Sequence, residues 1–156
     1  MANQEHIRTL KLGVEAWNKW RTEHNGATVD LSDANLSDMD LSWVDMRKAD
    51  LQGADLSWAD LSGAEATEAT LTRANLIGAN MSGTNLTAAQ LAGANLSGAK
   101  LSGARLIGAH MAGADLRGAD LSGADLTDAD LSGSNLAKTD LSGARLGGAT
   151  LEWNPK

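Results

Sequence analysis

The 156-residue chain has no cysteine, phenylalanine or tyrosine, and a single proline, Pro155. Without cysteine there is no disulfide, no thiol nucleophile and no cysteine-ligated zinc. With five Trp as the only aromatics, the interior must be built from aliphatic side chains. No apolar run approaches the ~18 residues of a membrane-crossing helix. Met1-Ala2-Asn3-Gln4-Glu5 lacks the basic-then-apolar order of a secretion signal, so a cytoplasmic location is expected. The three histidines, His6, His24 and His110, are scattered and form no metal-ligand spacing. The glycines recur at multiples of five and make no phosphate-binding loop, and no acid, base and nucleophile are grouped. A non-enzyme without metal or cofactor is expected.

What is present is a repeat. Every fifth residue from Leu31 to Leu151 is Leu, apart from Met46, Ala66, Met81 and Met111, which gives 25 uninterrupted units over 29–153. With the central residue as i, position i−2 is Ala in 19 units, i−1 is Asp or Asn in 17, and i+2 is Gly in 14. Position i+1 is mostly Ser or Thr. A period of five fits neither the 3.6 of a helix nor the 2 of a flat strand. It fits three extended residues and a corner. Leu and Ala at i and i−2 share the inner face, and i−1 and i+1 point outward. Gly at i+2 supplies the positive φ that a tight corner requires. Four sides close a square coil of twenty residues, and stacked coils pair their backbones.

The unit A-(D/N)-L-S-G resembles the consensus of the pentapeptide-repeat family over 125 of the 156 residues. The resemblance implies an all-β solenoid: a right-handed quadrilateral β-helix of about six coils, with a rod near 30 Å long at ~4.8 Å per coil. Two segments are expected, an N-terminal capping helix over 1–27 and the β-helix over 28–156.

Residues 4–23 break the period. Ile7, Leu10, Val14 and Trp17 form one apolar stripe of an amphipathic helix, with Asn3 as N-cap and Asn25-Gly26 as stop. Such a helix would cover the apolar side chains and unpaired backbone of the first coil; a partner-binding helix is the alternative. Bulky inward residues (Val29, Met39, Val44) at this end fit a cap. Trp20 lies off the stripe and is expected against Trp43 or Trp58, two outward corner residues. In segment 64–73, Ala66 replaces the central Leu and reads as drift or as a marked site.

The net charge of −7 is uneven. Residues 28–62 carry eight Asp against Arg47 and Lys48, residues 63–114 sum to +1, and residues 115–140 carry six Asp against Arg117 and Lys138. On the face centred on Leu41, positions twenty apart stack Asp40, Asp60, Asn80, Lys100, Asp120 and Asp140, beside an unbroken column of Ser at i+1. Asp40, Asp60, Asp120 and Asp140 are therefore the candidate partner-binding residues. Regular negative charge on a narrow rod mimics duplex DNA, with its charge per ~1.7 Å, and would attract basic DNA-binding proteins. Direct nucleic-acid binding is disfavoured by the same charge.

The function expected is a non-enzymatic, rigid acidic rod that binds a protein partner. The resemblance adds an alternative, a DNA-mimic inhibitor or protector of a type II topoisomerase (DNA gyrase). The uninterrupted repeat lacks the projecting loops of some family members of that kind. A homodimer through the C-terminal coil is also expected, with Leu146, Leu151 and Trp153 at the contact. The competing reading folds Trp153 and the tail over the last Leu layer.

Overall fold

A computed structural model of the chain describes residues 1–152. Beyond the N-terminal segment, the backbone turns four corners every twenty residues. Parallel bridges join each i−1 residue to its counterpart twenty positions on, from Asp30 with Asp50 to Asp130 with Thr150. The coils run 29–48, 49–68, 69–88, 89–108, 109–128 and 129–148, with a short remainder.

One side shows how all are made. The Leu31 amide donates to Asp50 O at 2.7 Å, the Asp33 amide to Gln52 O at 2.8 Å, and the Asp50 amide to Val29 O at 2.9 Å. The corner closes by Ala34 N–H donating to Leu31 O. Its second central residue has positive φ throughout: +56° at Asp33, +67° at Gly53. The non-glycine corners include Trp43 and Trp58, at +63° and +60°, where a bulky L-residue is disfavoured. Such a ladder satisfies backbone groups between coils and turns successive central residues inward.

The interior is a stack of aliphatic side chains. The central residues from Leu31 through Leu131, and nearly every i−2 Ala beside them, are buried. Alternating large and small side chains fill the square. Thr84, at an i−2 position, is buried and donates its hydroxyl to Leu61 O. The half-buried Ser134 and Thr139, also at i−2, donate theirs to Leu131 O and Leu116 O, so these inward hydroxyls are satisfied. Segment 64–73 keeps the ladder intact, with Glu65 bridged to Asp45 and Asn85 and Ala66 buried.

The N-terminal segment departs from expectation. It is two helices, α1 (Gln4–Lys11) and α2 (Val14–Glu23), and not one. Gly13, at φ +112°, lies outside helical space and turns the chain between them. The Asn3 side chain caps α1, accepting from the amides of Glu5 and His6. Leu10 and Trp17 are fully buried, while Ile7 and Val14 pack half-buried against the same core. Trp20 does not reach Trp43 or Trp58. It stacks within the segment, 5.2 Å from Trp17 and 4.7 Å from His24 between ring centres, and packs on His6. The turn at Gly13 sets α2 so that Trp20 faces its own neighbours; Trp43 and Trp58 stay exposed.

Candidate functional site

The outward faces carry the polar chemistry, and each Asp at i−1 has a local task. The Asp40 carboxylate accepts from both the amide and the hydroxyl of Ser42. Asp60 with Ser62, Asp120 with Ser122 and Asp140 with Ser142 repeat the arrangement. An Asx turn of this kind braces the corner that follows. It explains the pairing of Asp/Asn at i−1 with Ser/Thr at i+1, a function not drawn from the sequence although the columns displayed it. The Ser42 hydroxyl, then its amide, hold the Asp40 carboxyl below its ordinary 3.8, and Ser142 does the same for Asp140.

The four candidate acids share one face but not one cluster. The bridge order is Asp40, Asp60, Asn80, Lys100, Asp120, Asp140, so two carboxylate pairs are separated by an amide and an ammonium. Asp40 and Asp140 are exposed; Asp60 and Asp120 are half-buried. None has a Lys, Arg or His nitrogen within 4.0 Å among the described residues. Among the other acids, Asp45 is ion-paired with Arg47 and Arg21, Glu68 with Lys48, Asp115 with Arg117 and Asp125 with Arg145, while Asp30, Asp50, Asp55 and Asp130 on other faces also lack such a partner among the described residues. At Asp45, burial works against the charged form, and the Arg47 hydrogen bond with both guanidinium charges still holds the carboxyl down.

The N-terminal segment meets the open edge of coil 29–48 through one backbone bond and several side chains. Asn3 N–H donates to Asp30 O, and the Asp30 amide donates to His6 Nδ1. Trp17 Nε1 donates to Asp45 O at 2.8 Å. Asn18 accepts from the Asp45 amide through Oδ1 and donates through Nδ2 to Trp43 O. Arg21 donates to Arg47 O. These bonds serve the Asp30 and Asp45 sides; the helices make none to the Asn35 or Asp40 backbone among the described residues. His6, Asn18 and Arg21 were not singled out by the apolar stripe. A mid-helix Asn, a poor helix former, was the one available signal.

A cleft between Arg21, Gly26, Thr28, Arg47 and Lys48 lies beside α2. Its cations face Asp45 and Glu68. No group of three His, Asp or Glu converges as a ligand set among the described residues. Among the described residues no helix is long and apolar enough to cross a membrane.

At the other end the core opens. Leu136, Leu141 and Leu146 are half-buried, and Leu151 is 48% exposed. Trp153, expected at a contact there, lies outside the described residues.

No curated protein matches this chain. Among solved structures, the chain is similar to a pentapeptide repeat protein from the thylakoid lumen of Arabidopsis thaliana, with 34% identity, a TM-score of 0.61, and coverage of 62% of this chain and 68% of that one. It is also similar to QnrB1, a plasmid-mediated fluoroquinolone resistance protein, at 28% identity, a TM-score of 0.51, and coverage of 79% and 67%. The family model for pentapeptide repeats matches in 8 copies, the matched stretches running from residue 29 to residue 152. Proteins of this kind form right-handed quadrilateral β-helices, and with the repeat, the four-sided coil and these matches in agreement, the chain belongs to the pentapeptide-repeat family.

Proposed function

We propose that this chain is a non-catalytic, protein-binding rod whose acidic faces recognise a basic partner. The observation that carries the reading is the Leu41 face: Asp40, Asp60, Asp120 and Asp140 stand in register without an ion-pair partner among the described residues. A stacked Leu and Ala interior leaves recognition to the surface. Fixed charge on a stiff scaffold costs little ordering on binding, and it steers encounter with a positively charged protein. In this proposal residues 1–27 cap the rod, with Ile7, Leu10, Val14 and Trp17 as the apolar contact, and residues 28–156 are the rod itself. The C-terminal coil pairs with a second copy through Leu146 and Leu151; the half-buried state of Leu146 and the exposure of Leu151 support this, because a two-fold contact covers apolar surface and open strand edge together.

A second reading is an inhibitor or protector of a type II topoisomerase, reached by DNA mimicry. Its support is the family resemblance, the likeness to a fluoroquinolone resistance protein, and the acidic faces. A supercoiling assay with purified gyrase separates the two. Inhibition, or relief of quinolone inhibition, that disappears when the four acids become Asn selects the topoisomerase reading. An unaffected gyrase, with salt-sensitive binding to another basic protein, selects the general one.

A further inference from the structure

Trp43 and Trp58 are the least explained side chains in the molecule. They are 73% and 65% exposed, in a chain whose other described Trp, Trp17 and Trp20, are buried or packed in the N-terminal helices. Neither belongs to a pair of contacting rings among the described residues. Both occupy corners, and the corners are neighbours across one face. The corner column through Asp38 and Trp58 precedes the Leu41 face, and the column through Trp43 and Gly63 follows it. A side of about three extended residues and a one-coil offset place the two corners roughly 11 Å apart.

The next coil holds each indole in place. A Cβ built on Gly63 would come within 2.7 Å of the Trp43 ring, and one on Gly78 would strike the Trp58 ring. Each ring therefore lies along the rod over a glycine corner and presents its other side to solvent. Between them stand Asp40 and Asp60, neither with a cation within 4.0 Å among the described residues. Asp38 lies exposed below Trp58 in the same column.

We infer that Trp43, Trp58, Asp40 and Asp60 form a docking platform for an arginine-bearing extended segment of a partner protein. The inference deepens the acidic-rod reading and rests on it. A guanidinium is planar and weakly hydrated. It stacks on an indole while its N–H groups reach a carboxylate. Two preset rings flanking two uncompensated carboxylates offer both contacts side by side. The negative charge of residues 28–62, eight Asp against Arg47 and Lys48, selects a basic occupant over an apolar one. An extended chain sends alternate side chains to one face about 7 Å apart, and the long, flexible arginine stems span the remaining few ångström to the two rings.

The test uses the full chain and a capped nonapeptide of alternating Arg and Thr, titrated by calorimetry at low salt, with a Lys version beside it. Trp43→Gly with Trp58→Gly is the informative variant, because Gly is the commonest corner residue and favours the positive φ there. The Arg peptide is expected to bind wild type and to shift the indole N–H resonances of both residues. The double Gly variant is expected to bind about tenfold more weakly, as is Asp40→Asn with Asp60→Asn, and the Lys peptide is expected to bind wild type more weakly than the Arg peptide. Equal affinity for the double Gly variant overturns the platform; if binding still falls with salt and with loss of the acids, the acidic-rod reading stands. Equal affinity for the Lys peptide overturns guanidinium stacking. A wild-type dimer that the double Gly variant dissociates makes the rings a self-contact and overturns the proposal. Wild type that binds neither peptide overturns both the platform and the reading beneath it.

Discussion

Asn18→Ala separates a structural seal from a helix that merely sits nearby. Asn18 is half-buried in α2, and its amide bonds the Asp45 N–H at 2.8 Å and Trp43 O at 3.0 Å. Were the residue idle, Ala would stabilise α2 by roughly 0.6 kcal/mol through helix propensity. If the amide seals the coil edge, two hydrogen bonds disappear, at ~0.5–1.5 kcal/mol each. The Asp45 N–H also loses its acceptor at a part-buried edge. The net expectation is a loss of about 0.5–2.5 kcal/mol, opposite in sign to the propensity effect. Urea unfolding of the variant measures the total, and amide hydrogen exchange at Asp45 locates it. Lys19→Ala, one residue on and exposed, is the control and should change stability little. An Asn18→Ala protein as stable as wild type, with Asp45 exchange unchanged, refutes the sealing argument.

Other outcomes follow from the same geometry. Leu96→Ala, in the fully buried stack, should cost ~2–5 kcal/mol by urea titration, because neighbouring coils restrict collapse around the lost side chain. Hydrogen bonds from Ser or Thr, first the hydroxyl and then the amide, lower the folded carboxyl values of Asp30, Asp40, Asp55, Asp125, Asp130 and Asp140. A depressed folded value stabilises fully above the unfolded value of ~3.9 and is lost as pH falls through the folded one. The melting temperature should therefore hold between pH 5 and 7 (about) and fall below ~4, and an Asp-to-Asn series at these positions should blunt the fall. Light scattering should give a dimer that Leu151→Asp dissociates; a dimer unaffected by that change would place the contact elsewhere.

The repeat was legible because five-residue periodicity admits few geometries. Leu at i, Ala at i−2 and Gly at i+2 each answer a single local demand, and each sits where that demand puts it. The period alone also carried Asp40, Asp60, Asp120 and Asp140 to one face. The Asn3 cap is local and was read correctly. The N-terminal segment was harder. Leu10 and Trp17 follow the stripe, but Gly13 falls inside it, and a glycine within an apolar pattern does not announce whether the helix continues. Once the chain turns there, the neighbours of Trp20 depend on docking between α2 and the first coil, which no spacing in 4–23 encodes. His6, Asn18 and Arg21 were missed for the same reason: they reach backbone 24 to 27 residues away in sequence. The acids are ambiguous by nature, because the carboxylate that braces a corner is also the charge a partner would meet.

The central claim is that the acidic Leu41 face carries recognition. Its most direct measurement uses Asp40, Asp60, Asp120 and Asp140 replaced together by Asn. Asn already stands at i−1 in Asn35, Asn75, Asn80, Asn85, Asn95 and Asn135, and in most of these it accepts the same corner hydrogen bonds. The fold is therefore kept while four charges are removed. Affinity for a purified basic partner is then followed against ionic strength for both proteins. The account predicts weaker binding by the variant and a shallower salt dependence. Equal affinity and an equal slope would contradict it.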